Sequence, residues 1–117
     1  MGLASRLKDK YLSQIDDLIR SGEAIPMRQH SKITSSNYLT GEKHYRHYNL
    51  ASFPEFVEWR TSCIAVLDQV VPTTSLLRKT VDAFDTLNNE PSKVEFAVAF
   101  LRSVRRELER GSLDSLS

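Results

Sequence analysis

A chain of 117 residues has room for one domain and can bury roughly two-thirds of the surface its unfolded form exposes, so it needs neither disulfides nor a structural metal to fold. With 40% hydrophobic and 26% charged residues it has the composition of an ordinary globular protein, which excludes a disordered chain, and no apolar run approaches the length of a membrane span. A formal net charge of +1 gives no dominant electrostatic partner, so any attraction to nucleic acid must come from local patches.

The N-terminal MGLASRLKDKYL spreads charges where a secretory leader would carry an uninterrupted apolar stretch, and a cytoplasmic protein is the default expectation. From Gly2 to Ser21, Leu3, Leu7, Tyr11, Ile15 and Leu18 recur at helical spacing, with Leu12 and Ile19 widening the stripe, which predicts an amphipathic helix. Gly22 follows the last periodic residue and is expected to stop the helix in the left-handed conformation. Helical periodicity then disappears over residues 23–51. Pro26 and Gly41 punctuate this stretch, SKITSSNYLTGEK is rich in turn formers, and HYRHYNL has the aromatic content of a strand. A short, irregular β-hairpin turning near Asn37 to Gly41 is the expectation, and a connection this long is a place to look for function.

The stretch from Ser52 to Val71 is predicted to be the central helix. One apolar row runs through Phe53, Val57, Ile64, Leu67 and Val71, another through Phe56, Trp59, Cys63, Val66 and Val70, so it needs neighbours on more than one side. Ser52 and Glu55 have the spacing of a capping box, Pro54 suits the first turn and Pro72 ends the helix. A third helix is expected within TTSLLRKTVDAFDTLNN, with the Thr73–Thr74 pair as N-cap and Leu76, Leu77, Val81, Phe84 and Leu87 as its apolar stripe. The fourth opens on a second capping box, Ser92 to Glu95, buries Val94, Ala97, Val98, Leu101, Val104 and Leu108, and stops at Gly111. The fold class implied is all-α, a four-helix bundle with a long, partly extended insertion between helices 1 and 2. Residues 1–111 form the single helical domain, and 112–117 are a tail or the start of a linker to a further domain.

The single cysteine, Cys63, lies on an apolar stripe and reads as a packed core thiol; it is the only residue on which a nucleophile could be argued. His44 and His47 lack a third and fourth ligand, so no metal and no cofactor are expected. Paired carboxylates such as Asp82 with Asp85 belong to amphipathic helices, no nucleophile elbow or phosphate-binding loop is present, and a non-enzymatic protein is expected. Lys43 to Tyr48 interleave base and aromatic, and with Arg28 and Lys32 in the opposing arm they compose a positive surface suited to a nucleic-acid backbone. The alternative is that the tyrosines pack the hairpin on the bundle while Arg28, Lys32, Lys43 and Arg46 solvate its outer face. Arg102, Arg106 and Arg110 make a basic ridge on the last helix, softened by Glu107, Glu109 and the carbonyl end of that helix.

Phe56-x-x-Trp59 opening a helix after a Tyr-rich extended stretch, and LRSVRRELERGSL from Leu101 to Leu113, resemble the small N-terminal helical domains of some bacterial multidomain proteins, including abortive-infection and antiphage effectors. The resemblance implies a sensing, docking or oligomerisation module ahead of a separate effector domain, and the chain departs from it by ending just after Leu116. It carries over no functional residues. The function expected is therefore a helical interaction domain that meets a protein partner or a second copy of itself, as in a homodimer, through Tyr38, Tyr45, Tyr48, Arg106, Arg110, Leu113 and Leu116. Nucleic-acid binding through Arg28, Lys32, Lys43 and Arg46 is the alternative, and no membrane is involved.

Overall fold

The computed structural model describes residues 5–111. Helix α1 spans Ser5–Glu23, strands β1 and β2 span Met27–Ser36 and Lys43–Ala51, and helix α2 spans Phe53–Val70. A five-residue helix α3, Arg78–Asp82, runs into a 3-10 turn over Ala83–Thr86, and helix α4, Pro91–Arg110, closes the described chain. The architecture is α+β, which corrects the all-α four-helix bundle expected from periodicity. Two changes make the difference. The insertion between the first two long helices is a two-stranded antiparallel sheet of ten- and nine-residue strands, and the expected third helix is shortened to Arg78–Asp82 with a 3-10 turn after it.

Three long helices supply the core. Phe56, Trp59, Cys63, Leu67 and Val70 of α2 are buried together with Ile15 and Leu18 of α1 and seven residues of α4 from Val94 to Leu108. The buried side of α2 draws on both apolar rows: Phe56, Trp59, Cys63 and Val70 of one, and Leu67 and Val71 of the other, are buried, while Val57, Ile64 and Val66 pack at the border and Phe53 is exposed. The two rows therefore read as one wide helix face, with a single side toward the core.

Gly22 has a different role from the one its position suggested. Helix α1 continues through it to Glu23, and positive φ among the described glycines occurs at Gly41 and Gly111. The Trp59 indole lies directly against Gly22: a Cβ there would stand 2.6 Å from Trp59 Cζ2 and 2.8 Å from Val98 Cγ2. The indole Nε1–H donates to the Leu18 carbonyl at 2.8 Å, so the ring's only polar atom is satisfied inside the core. Glycine at 22 is what lets α1, α2 and α4 meet at this point.

The caps also differ from the sequence reading. Ser52 donates its hydroxyl to the Glu55 carboxylate rather than receiving a backbone N–H, and this bond, with a backbone hydrogen bond to the carboxylate, lowers the Glu55 pKa. Helix α4 begins at Pro91, which places Ser92 inside the first turn and leaves Glu90 as N-cap, so no box forms with Glu95. Gly111 does end α4 in the left-handed conformation, at φ 80°.

Residues 72–90 depart furthest from expectation. Ser75 Oγ accepts the Leu77 N–H, Thr86 Oγ1 donates to the Ala83 carbonyl, and turns at Pro72–Ser75 and Ser75–Arg78 use backbone groups that a longer helix would need. Hydroxyl side chains compete in this way for local backbone partners, which is why a Ser/Thr-rich apolar stretch breaks into turns. Arg78 pins the segment through the Val71 carbonyl, Asp68 and Asp82, while Leu76, expected on the buried stripe, is exposed. Val81 and Phe84 still reach the core, the latter tilted against Phe100 with ring centroids 5.6 Å apart.

Replacing Gly22 with alanine is expected to lower stability by about 1–3 kcal/mol, since the new methyl must displace Trp59 or Val98. Thermal unfolding followed by circular dichroism checks this. An unchanged melting temperature would mean that the helix crossing does not depend on this contact.

Candidate functional site

The hairpin stands away from the helices. The Cα atoms extend over 74 × 24 × 19 Å with a radius of gyration of 19.0 Å, against about 13 Å for a compact domain of roughly this size. Every residue of β1 and the first seven of β2 are exposed, and only the foot of β2 enters the core, with Ala51 buried. That foot is clamped reciprocally. The Ala51 N–H donates to the Asn89 carbonyl and the Asn89 side-chain amide to the Ala51 carbonyl, both at 2.9 Å, while the Ser52 N–H donates to the Pro26 carbonyl at 2.7 Å.

The far end is a turn over residues 37–42. Asn37 accepts the Leu39 N–H on its side chain and the Gly41 N–H on its carbonyl, Gly41 takes a left-handed φ of 71°, and the Asn37 N–H bonds back to the Glu42 carbonyl. Tyr38 and Leu39 form the tip, at 102% and 96% relative exposure.

Register decides which side chains share a face. Arg28 pairs with Leu50, His30 with Tyr48, Lys32 with Arg46 and Ile33 with Tyr45, and a bulge at Thr34 then brings Ser35 opposite His44 and Ser36 opposite Lys43. Directly paired residues lie on one face and successive residues alternate, so one face carries Arg28, His30, Lys32, His44, Arg46, Tyr48 and Leu50. The opposite face carries Met27, Ile33, Lys43, Tyr45 and His47 among small and neutral residues. Between residues 24 and 51 there are four Lys or Arg and one carboxylate, Glu42, a net +3; since the chain totals +1, everything outside the arm sums to −2. The near-neutral total conceals a basic arm, while acidic and basic residues balance over the helices.

The residues singled out from sequence are thus divided among several places. Of the basic set, Arg28, Lys32 and Arg46 share a face, whereas Lys43 lies on the other. Of the partner set, Tyr38 is at the tip, Tyr45 on the apolar face and Tyr48 on the basic face, stacked on His30 with centroids 5.6 Å apart and planes 19° apart. Arg106 and Arg110 sit in the last two turns of α4, whose first turn adjoins the arm, so a helix of 20 residues separates them from the tyrosines. Their ridge is largely neutralised in place: Arg105 pairs with Asp16 at 2.5 Å and Glu109 at 2.7 Å, Arg102 with Glu23, and Arg110 with Glu107 at 3.5 Å. Leu113 and Leu116 lie outside the described residues. His30, Ile33 and Leu39 were missed as site residues; the every-second-residue spacing of Arg28, His30 and Lys32 would have shown His30 once the hairpin register was known.

Cys63 has no relative exposure, and burial pushes its thiol pKa up to about 12. Burial disfavours the thiolate, as for a thiol packed in a core. No group of three or more His, Cys, Asp or Glu able to hold a metal exists among the described residues, and His44 and His47 point to opposite faces of the ribbon. No described helix is long and apolar enough to cross a membrane. Comparison with protein-family models, with curated proteins and with solved structures finds no match.

A thiol reagent such as DTNB is expected to label native Cys63 orders of magnitude more slowly than the chain unfolded in guanidinium, since reaction requires opening of the core. Equal rates would show that Cys63 is reachable in the native protein.

Proposed function

We propose that this chain is a non-enzymatic interaction module whose hairpin arm is its docking element, and that the partner surface is the apolar face and tip of the arm. One observation carries the reading. Met27, Ile33 and Tyr45 line one face of a ribbon that no described residue covers, and Tyr38 and Leu39 project from its end. A two-stranded hairpin is at best marginally stable alone in water, so an arm of this length is best explained by something that covers it in use. Aromatic side chains with little conformational entropy to lose are the usual anchors of such contacts.

The partner is a protein, and the first to consider is a second copy of this chain, whose arm offers the same apolar face for a self-complementary contact. The resemblance to N-terminal modules of bacterial antiphage effectors agrees with a docking or oligomerisation role. The Arg106 and Arg110 end of α4 is a separate surface and adds nothing to the arm.

Light scattering over a range of concentrations tests the reading. The intact protein is expected to form a dimer that dissociates on dilution, and Ile33→Thr with Tyr45→Thr, or Tyr38→Ser with Leu39→Ser, is expected to leave a monomer with unchanged helical circular dichroism. Replacing residues 28–50 by Asn-Gly should likewise leave the helical core folded, because the arm contributes almost nothing to it. A monomer at every concentration would overturn self-association, and a dimer that survives loss of the arm would place the interface elsewhere.

A further inference from the structure

The opposite face of the arm has a chemistry of its own. Lys32 and Arg46 stand directly across from each other, a like-charge pair that costs rather than contributes stability, with Arg28 four residues along on the same face. Glu42 at the turn, 3.6 Å from His44, is the one carboxylate of the arm; Arg28 lies within electrostatic reach of Glu55 in α2, and no salt bridge to Arg28, Lys32 or Arg46 is formed among the described residues. Between the two cationic rungs lies the stacked His30–Tyr48 pair, both rings reachable from solvent.

The face does not end at the ribbon. Lys32, Arg46, Tyr48 and Leu50 form one wall of an open groove of about 570 Å³ whose other wall is Glu90, Pro91 and Ser92, at the N-terminus of the twenty-residue helix α4. The positive end of that helix faces the same space as the two cations. Glu90 is the one opposing charge on that wall.

The geometry points to this face as a track for single-stranded nucleic acid, with Arg28, Lys32 and Arg46 on phosphates and a base stacked against the His30–Tyr48 pair. Cations alternating with an aromatic platform are what a flexible polyanion with exposed π-faces requires, and in a duplex the bases are already stacked on each other. Acidic and basic residues balance over the helices, so the body sets no net charge against these cations. This inference goes beyond the protein-docking reading and uses the other face of the same arm.

Fluorescence anisotropy of the full chain with a labelled, mixed-sequence single-stranded oligonucleotide of about 20 nucleotides tests it. Three phosphate contacts predict a loss of roughly tenfold to twentyfold in affinity between about 50 and 200 mM salt. Lys32→Glu and Lys43→Glu change the net charge equally but on opposite faces. The first is expected to weaken binding more than tenfold and the second no more than about twofold, while Lys32→Arg binds like the parent and controls for folding of the ribbon. Glu90→Gln is expected to tighten binding about twofold to fivefold, the effect of removing one screened like charge from the groove. Equal losses from Lys32→Glu and Lys43→Glu, tighter binding of the duplex form, or no binding at 50 mM salt would each overturn the proposal. The dimer mass measured on Lys32→Glu stays that of the parent, so failure here and failure of the docking reading are distinguishable.

Discussion

The contact of Trp59 with Gly22 and Leu18 sets the arrangement of the rest of the molecule. An indole seated on a glycine lets α1 and α2 cross closely, and its N–H on the Leu18 carbonyl fixes the ring's orientation. Val98 of α4 closes over the same spot. Just beyond it the chain leaves α1 through Ile25, which is buried, and Pro26, whose carbonyl holds the Ser52 N–H at the start of α2. The two strands of the hairpin are therefore gripped at their base by the same crossing that organises the core, and Asn89 adds a clamp from the segment leading into α4. The arm needs no buried face of its own to have a defined origin and direction.

The consequence is a division of labour within a small chain. The helices hold the hydrophobic burial, and many of their surface charges are paired, as in the Arg105 links to Asp16 and Glu109 and the Arg78 links to Asp68 and Asp82. The arm carries the opposite balance: open backbone edges, exposed aromatics, and cations with few partners. Register converts a mixed string of basic, aromatic and apolar residues into two different faces; alternation along β2 puts His44 on the basic face and Lys43 on the other, and the bulge at Thr34 sets Ser35 and Ser36 of β1 opposite them. Binding surfaces with distinct chemistry arise without enlarging the core, because a ribbon exposes both sides.

Much of this was legible in the residues. Periodicity located α1, α2 and α4, and the stripe on α4 from Val94 to Leu108 is the stripe that is buried. Turn chemistry located the reversal at Asn37 to Gly41. Cys63 was readable as a core thiol because a small apolar side chain at helical spacing has few other uses. The stripe through Leu77, Val81, Phe84 and Leu87 does reach or border the core, but Leu76 is exposed and the helix is shorter than expected, because hydrophobic spacing does not report that neighbouring hydroxyls will bond the backbone locally. The insertion carried too little apolar alternation to show how long its strands would be.

The sequence by itself determined the three long helices, the place of the hairpin turn, the αL stop at Gly111 and the basic and aromatic content of residues 28–48, since each depends on side-chain pattern or backbone preference within a few residues. Only the tertiary structure decided that Gly22 is a contact rather than a stop, that Arg28, Lys32 and Arg46 share a face from which Lys43 is excluded, and that Arg106 and Arg110 lie far from the tyrosines. Each of these is set by a pairing across distance, Trp59 reaching Gly22 from another helix or β1 choosing its register on β2, and a one-residue change in such a pairing reverses the face without altering any local preference.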